Sequence, residues 1–203
     1  MGIVSQERQK QQGGRLLLGI DEAGRGPLAG PVVVAGILYI GITKTIPCLG
    51  RIQDSKKLTA IQRERWYQIL QTDQNFRFAV ARIYPKTIDR INILRAARLG
   101  AWRVYQRLAP DGAAHALLDG SLILPPHISQ ETIIKGDEKI PLISAASIIA
   151  KVTRDRIMFR LHKKYPAYRF DLHKGYGTKL HRDMIQKFGR CELHRRSFRL
   201  IDK

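Results

Sequence analysis

The sequence predicts an α/β fold: a mixed sheet flanked by helices, with a basic helical C-terminal extension. Three observations predict it. Short apolar runs of strand length end in acids or glycine, longer segments between them repeat apolar residues at helical spacing, and about a third of the 36 Lys and Arg lie beyond Phe159. Such an alternation of short and long apolar segments is what a sheet covered by helices produces.

Taken in order, residues 1–14 are polar and Gln-rich, lack an apolar signal core, and are expected to form a flexible tail. Residues 15–203 are expected to form one domain, with its helical C-terminal region over about 160–203. Arg15 to Ile20 reads as a first strand and Pro31 to Tyr39, β-branched and apolar, as a second. A Gly- and Pro-punctuated loop from Gly41 to Asp54 leads to Thr59, which with Gln62 fits a capping box. The helix it opens runs through about Leu70, with Trp66, Ile69 and Leu70 facing inward. Phe76 to Val80 alternates with period two, so a strand extends to about Tyr84. Ile91, Leu94, Ala97, Ala101, Val104 and Leu108 place one helix over Ile88 to Leu108. Ala114 to Leu118 and Ile133-Ile134 are further strand-like runs. A long helix covers Ser144 to about Tyr165, and a shorter one Leu180 to Phe188.

Thirty-six basic against 17 acidic residues give a formal charge of +19. Self-repulsion of that size opposes compaction and fits a polyanionic partner, nucleic acid before an anionic membrane surface. No apolar run approaches the roughly 20 residues that span a bilayer, so no membrane insertion is expected. Cys48 and Cys191 are too few and too isolated for a disulfide framework or a zinc site, and a reducing, cytoplasmic setting fits. Neither a G-x-S-x-G elbow nor a G-x-x-x-x-G-K-[ST] loop occurs.

The chemistry-bearing feature is the placement of acids. Asp21 and Glu22 follow Leu16 to Ile20, Asp119 follows Ala114 to Leu118, and Asp137 follows Ile133-Ile134. Buried carboxylates are costly unless paired or bound to a cation. Converging strand ends are where open α/β sheets build their sites. Four carboxylates there would repel unless neutralised, and hard oxygen donors suit Mg2+ or Mn2+. Two such ions roughly 3.5–4 Å apart clamp a phosphodiester. Each acid also has a plainer reading, since Asp119-Gly120 is a common turn dipeptide and Asp137 could cap a turn.

Several segments together resemble the bacterial ribonuclease HII family, the type 2 ribonucleases H. They are Gly19-Ile20-Asp21-Glu22-Ala23-Gly24-Arg25-Gly26-Pro27-Leu28-Ala29-Gly30-Pro31-Val32, Asp54-Ser55-Lys56-Lys57-Leu58, Ile91-Asn92-Ile93-Leu94, Leu118-Asp119-Gly120, Lys135-Gly136-Asp137, the stretch Ser144 to Asp155, His173-Lys174-Gly175-Tyr176-Gly177-Thr178, and His194-Arg195-Arg196-Ser197-Phe198. The resemblance spans Arg15 to Phe198. It implies an RNase H-like fold, endonucleolytic cleavage of RNA hybridised to DNA, and incision of duplex DNA on the 5′ side of a single ribonucleotide. It assigns Asp21, Glu22, Asp119 and Asp137 as catalytic metal ligands for Mn2+ or Mg2+. Gly24, Arg25, Gly26 and Tyr176 become readers of the RNA–DNA junction. Related type 3 enzymes carry an extra N-terminal domain and lack the glycine-arginine-glycine turn, so type 2 is expected, acting as a monomer.

Residue chemistry supports these roles. Ribose differs from deoxyribose only by the 2′-hydroxyl, which backbone groups of a tight glycine turn can meet closely. Arg25 could grip a phosphate with its planar fork, and Tyr176, in a Gly-flanked loop, could stack on a sugar or base. Lys56 and Lys57, before the helix start, are candidate phosphate contacts, and Asn92 joins the substrate-binding set. Ser144, Ser147, Lys151 and Arg154 recur at helical spacing on one face that borders the site, and are also expected to bind substrate. Asp155 is expected to pair with Arg154, Arg156 or another cation rather than join the four acids, and His173, His181 and His194 to pack as polar core. A non-catalytic nucleic-acid-binding protein would explain the charge but not the acids behind apolar runs. A DNA-only nuclease would explain the acids but not the ribose-reading turn.

Overall fold

The computed structural model describes residues 16–41, 49, 52 and 58–200. Five strands lie within them: β1 (Leu16–Ala23), β2 (Val32–Tyr39), β3 (Phe76–Ile83), β4 (Ala114–Asp119) and β5 (Gln130–Ile133). They form one sheet in the order β3-β2-β1-β4-β5. β2 pairs antiparallel with β1 and β3, whereas β4 runs parallel to β1 and β5 parallel to β4. The sheet is therefore mixed, and the C-terminal ends of β1, β4 and β5 open on one edge.

The helices are α1 (Ala60–Thr72), α2 (Pro85–Ile91), α3 (Ile93–Leu108), the single turn α4 (Gly136–Lys139), α5 (Pro141–Lys164), the short α6 (Phe170–His173) and α7 (Lys179–Phe188). Strand alternation divides the core between the two sheet faces. Ala35 and Ile37 pack with Leu142, Ala146 and Ile149 of α5, and Leu70 of α1 joins them. Leu18, Ile20, Val34 and Leu38 pack with Ala97, Ala101, Val104 and Tyr105 of α3 on the other face. Gly19 lies against α5, where an added Cβ would stand 2.5 Å from the Leu142 carbonyl oxygen. A side chain there would push the helix off the strand that carries the first two acids.

The capping box at Thr59 forms as read: its hydroxyl accepts from the Gln62 amide at 3.2 Å, and Gln62 Oε1 accepts from the Thr59 amide at 2.8 Å. Three expectations need correction. Ile69 is solvent-exposed, because the buried stripe of α1 runs through Trp66 and Leu70 and turns Ile69 outward. The helix expected over Ile88 to Leu108 is two helices, broken at Asn92 with φ 66°, whose side chain accepts from the Arg95 amide at 3.0 Å. The apolar pattern hides the break because Ile88 and Ala96, one on each side of it, enter the same small core with Val32 and Ile83. Finally, α5 begins at Pro141 rather than Ser144, with proline in the first turn where its missing N–H costs nothing.

Candidate active site

β1 continues past Ile20 because β2 still pairs with it, as far as Ala23 opposite Val33, whereas its register with β4 ends at Ile20 opposite Leu118. Asp21 and Glu22 thus lie on the strand at the point where its parallel neighbour stops. Asp119 ends β4, and Asp137 enters on α4 just after β5. The Gly136 amide donates to Asp119 Oδ1 at 2.7 Å, which ties the Asp137 turn to the Asp119 carboxylate. A Cβ on Gly136 would meet Ile143 Cδ1 at 2.6 Å and Asp119 Oδ1 at 3.3 Å, so a side chain here would have to displace the Ile143 tip and crowd the Asp119 carboxylate.

The electrostatics show the acids as one group. Burial holds the Asp21 carboxyl well above its usual range, and repulsion from Glu22 and Asp119 adds to it; Ser147 and the Glu22 amide bond the carboxylate and oppose the shift. Glu22 is raised too, first by burial. The charge and hydrogen bond of Arg25 pull it back, and Asp119 and Asp137 push it up again. Asp21 is 4% exposed, Asp137 is buried, and Glu22 Oε2 is buried without a hydrogen-bond partner. Crowded and built of oxygen donors, this set fits a hard divalent cation. Among the described residues no three His, Cys, Asp or Glu form a ready-made metal cage.

Beside the acids, the Gly24-Arg25-Gly26 turn shows a division of labour. Gly24 faces inward at φ 92°, and an added Cβ would lie 2.0 Å from Arg154 Nε. Gly26 is exposed, and an added Cβ there meets nothing within 4 Å. Arg25 Nη1 reaches Glu22 Oε1 at 3.3 Å and Ser121 Oγ at 2.6 Å, so the turn is linked by its side chain to one acid and to the loop after β4. The loop around Tyr176 packs on the same segment. The amide of Leu28 donates to the Gly175 carbonyl at 2.8 Å, and a Cβ on Gly175 would stand 2.5 Å from the Ala29 oxygen. Tyr176 is 43% exposed, with the Arg154 guanidinium 5.7 Å from its ring centre.

Several expected substrate contacts are turned into supports. Arg154, 1% exposed, donates from Nε to the Pro31 carbonyl and from Nη2 to that of Ala29. It stands behind the turn, not in front of it. Ser144 is buried and donates to the Asp137 carbonyl at 2.8 Å, and buried Ser147 bonds Asp21. The helical spacing gave their common face correctly, but that face is covered by the acids and the turn. Lys151 remains partly accessible and pairs with Asp155 at 2.9 Å, a cation other than the Arg154 or Arg156 named for that acid. Asn92 uses its side chain to cap α3. Lys56 and Lys57, with most of the loop containing Cys48, lie outside the described residues.

The three histidines pack as polar core. His173 stacks on His181 with centroids 4.2 Å apart, and His181 Nε2 lies 3.1 Å from His194 Nε2. Burial, reinforced by neighbouring charges, brings His181 and His194 down to about 4, so both are neutral near pH 7. A residue without an assigned role emerges in Arg195. It is 1% exposed, and all three of its side-chain bonds go to carbonyls of Gly24, Arg25 and Gly30. Burial, with the charge of Arg154 second, lowers its pKa to about 9, still charged at neutral pH. Its only trace in the sequence is its place in the His194 to Phe198 segment.

An α/β sheet whose parallel strands end at Asp21, Glu22 and Asp119, with Asp137 on the turn beyond β5 and a glycine turn alongside, is what a class of enzymes that use hard metal ions on phosphodiesters would present. The sequence of residues 18–201 matches the ribonuclease HII family. Ribonuclease HII of Syntrophus aciditrophicus is 44% identical over 204 residues, covering 98% of this chain and 92% of that protein. Among solved structures, a chain of the PCNA:RNase HII complex from Archaeoglobus fulgidus superposes with a TM-score of 0.76 at 28% identity, covering 93% of this chain and 97% of that one. Ribonuclease H2 from Pyrococcus horikoshii gives 0.72 at 27% identity, covering 91% and 94%. The chain belongs to the ribonuclease HII family, and with it to the metal-dependent ribonucleases H that hydrolyse phosphodiester bonds.

Proposed function

We propose that this protein cleaves the RNA strand of RNA/DNA hybrids and incises duplex DNA on the 5′ side of a single embedded ribonucleotide, leaving 3′-hydroxyl and 5′-phosphate ends. Asp21, Glu22, Asp119 and Asp137 are the acids that hold divalent metal, Mg2+ or Mn2+. A pair of divalent ions held by these acids would supply activation of a water and charge stabilisation of the leaving oxygen. The chain's own residues prepare that chemistry: Ser147 and the Gly136 amide orient two of the carboxylates, and burial keeps the group poorly hydrated.

One observation carries the ribonucleotide part of the reading. The turn beside the acids exposes Gly26 with open space in front of it, which leaves room for a sugar to meet backbone directly. Arg25 is placed to contact a flanking phosphate, and Tyr176 offers an accessible ring for a sugar or base. Lys151 is the remaining accessible member of the α5 set, and the basic C-terminal region fits a duplex backbone. No helix among the described residues is long and apolar enough to cross a membrane; a cytoplasmic setting is part of this reading.

The test uses a DNA duplex carrying one ribonucleotide beside an all-DNA control, each with Mg2+ or Mn2+. Cleavage confined to the ribonucleotide duplex, at its 5′ side, is the expected result, and Asp21→Asn should abolish it while duplex binding persists. Equal cleavage of both duplexes, or an active Asp21→Asn variant, would sink the assignment.

A further inference from the structure

The turn that faces the open space is shaped from behind by one side chain. Arg195 Nη2 donates to the Gly24 carbonyl at 2.6 Å, Nη1 to the Arg25 carbonyl at 2.7 Å, and Nε to the Gly30 carbonyl at 3.1 Å. Its own amide donates to the Leu28 carbonyl at 2.8 Å. The guanidinium thus spends its donors on the backbone of the turn. A buried charge is an expensive way to attach a segment, and this segment is already attached: Ala29 and His194 form a β-bridge, and the Gly30 amide donates to the Leu193 carbonyl at 2.8 Å. Something other than attachment calls for the guanidinium.

Peptide geometry supplies the reason. In a trans peptide the C=O of one residue and the N–H of the next point in opposite directions, and among the described residues no peptide is cis. Drawing the Gly24 and Arg25 carbonyls inward onto Arg195 therefore turns the Arg25 and Gly26 amides outward, to the side where Gly26 stands open. A planar fork spans two neighbouring carbonyls at once, which a lysine ammonium, a single point of charge, does not reproduce.

Arg195 is itself held in place. The Asp89 carboxylate of α2 accepts from the amides of Arg196 and Ser197, both at 3.0 Å, and from the Ser197 hydroxyl at 2.7 Å. The Phe198 ring centre lies 5.0 Å from the guanidinium carbon.

We propose that Arg195 is the positioning residue for ribose recognition: it fixes the peptide planes of Gly24-Arg25-Gly26 so that their amides meet the sugar–phosphate at the ribonucleotide. This rests on the reading of that turn as the ribose sensor.

The test measures binding, not turnover. In an Asp21→Asn background with Mg2+, dissociation constants are compared for a duplex with one ribonucleotide and for the same duplex in all-DNA form. Arg195→Lys should collapse the preference for the ribonucleotide by about tenfold, the worth of a charge-assisted hydrogen bond, with all-DNA affinity unchanged. Preference retained in folded Arg195→Lys protein overturns the proposal, and so does an equal loss of both affinities, which would mark a merely structural residue. Should Arg195→Lys not fold, Asp89→Asn decides. It loosens the Arg195 turn from its half-exposed anchor and should reduce the preference in the same direction by a smaller factor; an unchanged preference there overturns the proposal. If the Asp21→Asn protein shows no ribonucleotide preference at all, the ribose-sensing reading itself has failed, and the two failures are told apart.

Discussion

Replacing Gly26 with alanine separates recognition from stability, because the structure gives the added methyl no neighbour within 4 Å and the residue does not occupy left-handed backbone. Such a substitution restricts the unfolded chain and is expected to stabilise the fold by about 0.4–1 kcal/mol. In a chain of this length that is a rise of roughly 1–4 °C in Tm. The same methyl fills the space in which a ribose would approach the turn. Weakening two backbone hydrogen bonds to the sugar–phosphate, at roughly 0.5–1.5 kcal/mol each, lowers kcat/KM on a single-ribonucleotide duplex about 5- to 150-fold. Gly24→Ala in the same motif has the opposite cause. Its Cβ would strike Arg154 Nε at 2.0 Å and its φ of 92° disfavours any side chain, so about 1–2 kcal/mol of strain accompanies the clash and Tm falls. The assay is paired: thermal melting and steady-state cleavage of the ribonucleotide duplex for both variants. Gly26→Ala cleaving at the wild-type rate, with its fold intact, would refute the placement of the sugar against this turn.

Three further outcomes follow from the charges. In chelator, the raised carboxyl pKa values of Asp21 and Glu22 mean that the folded state holds protons more tightly than the unfolded one. Their contribution to stability is complete below the ordinary carboxylate range of about 4 and is lost as pH rises through the raised values. Added Mg2+ should therefore raise Tm more at pH 8 than at pH 5, and equal gains would contradict the crowded-acid picture. Arg25→Met removes the cation 3.3 Å from Glu22 Oε1, so substrate-free protein should bind Mg2+ up to about fivefold more tightly, the scale of a partly exposed ion pair of about 1 kcal/mol or less. Calorimetric titration showing weaker binding would reverse that sign. Duplex affinity should fall steeply with salt, by about 10³-fold between about 50 and 200 mM if about six phosphates are neutralised. A flat salt response in fluorescence anisotropy would remove the charge of +19 from the binding account.

Much of this was legible before any coordinates because it breaks local rules. Carboxylates at the ends of apolar runs are conspicuous, so Asp21, Glu22, Asp119 and Asp137 stood out, and reciprocal bonding between Thr59 and Gln62 is written within four residues. What escaped the sequence is non-local. Arg154 looks like one more cation on a helix, yet it is buried because Ala29 and Pro31, more than a hundred residues earlier, present their carbonyls to it. Arg195 reaches Gly24 across 171 residues, and no periodicity encodes that meeting. Asn92 breaks a helix without disturbing the apolar pattern, since the pattern records which side is buried and not whether the backbone is continuous.

The placement of the turn bears on why cutting and reading would share one strand. Arg25 belongs to both: its carbonyl is held by Arg195, and its guanidinium bridges Glu22 and Ser121. Any change in the peptide planes of the turn therefore shifts a cation that offsets the charge of Glu22. A phosphate that attracts Arg25 would leave Glu22 less compensated among buried neighbours, and the need for a divalent cation would rise just where the sugar is being read. A reader placed elsewhere on the surface would need a conformational relay to have that effect. Here the two events are separated by three residues of β1 and its turn, and electrostatics alone joins them.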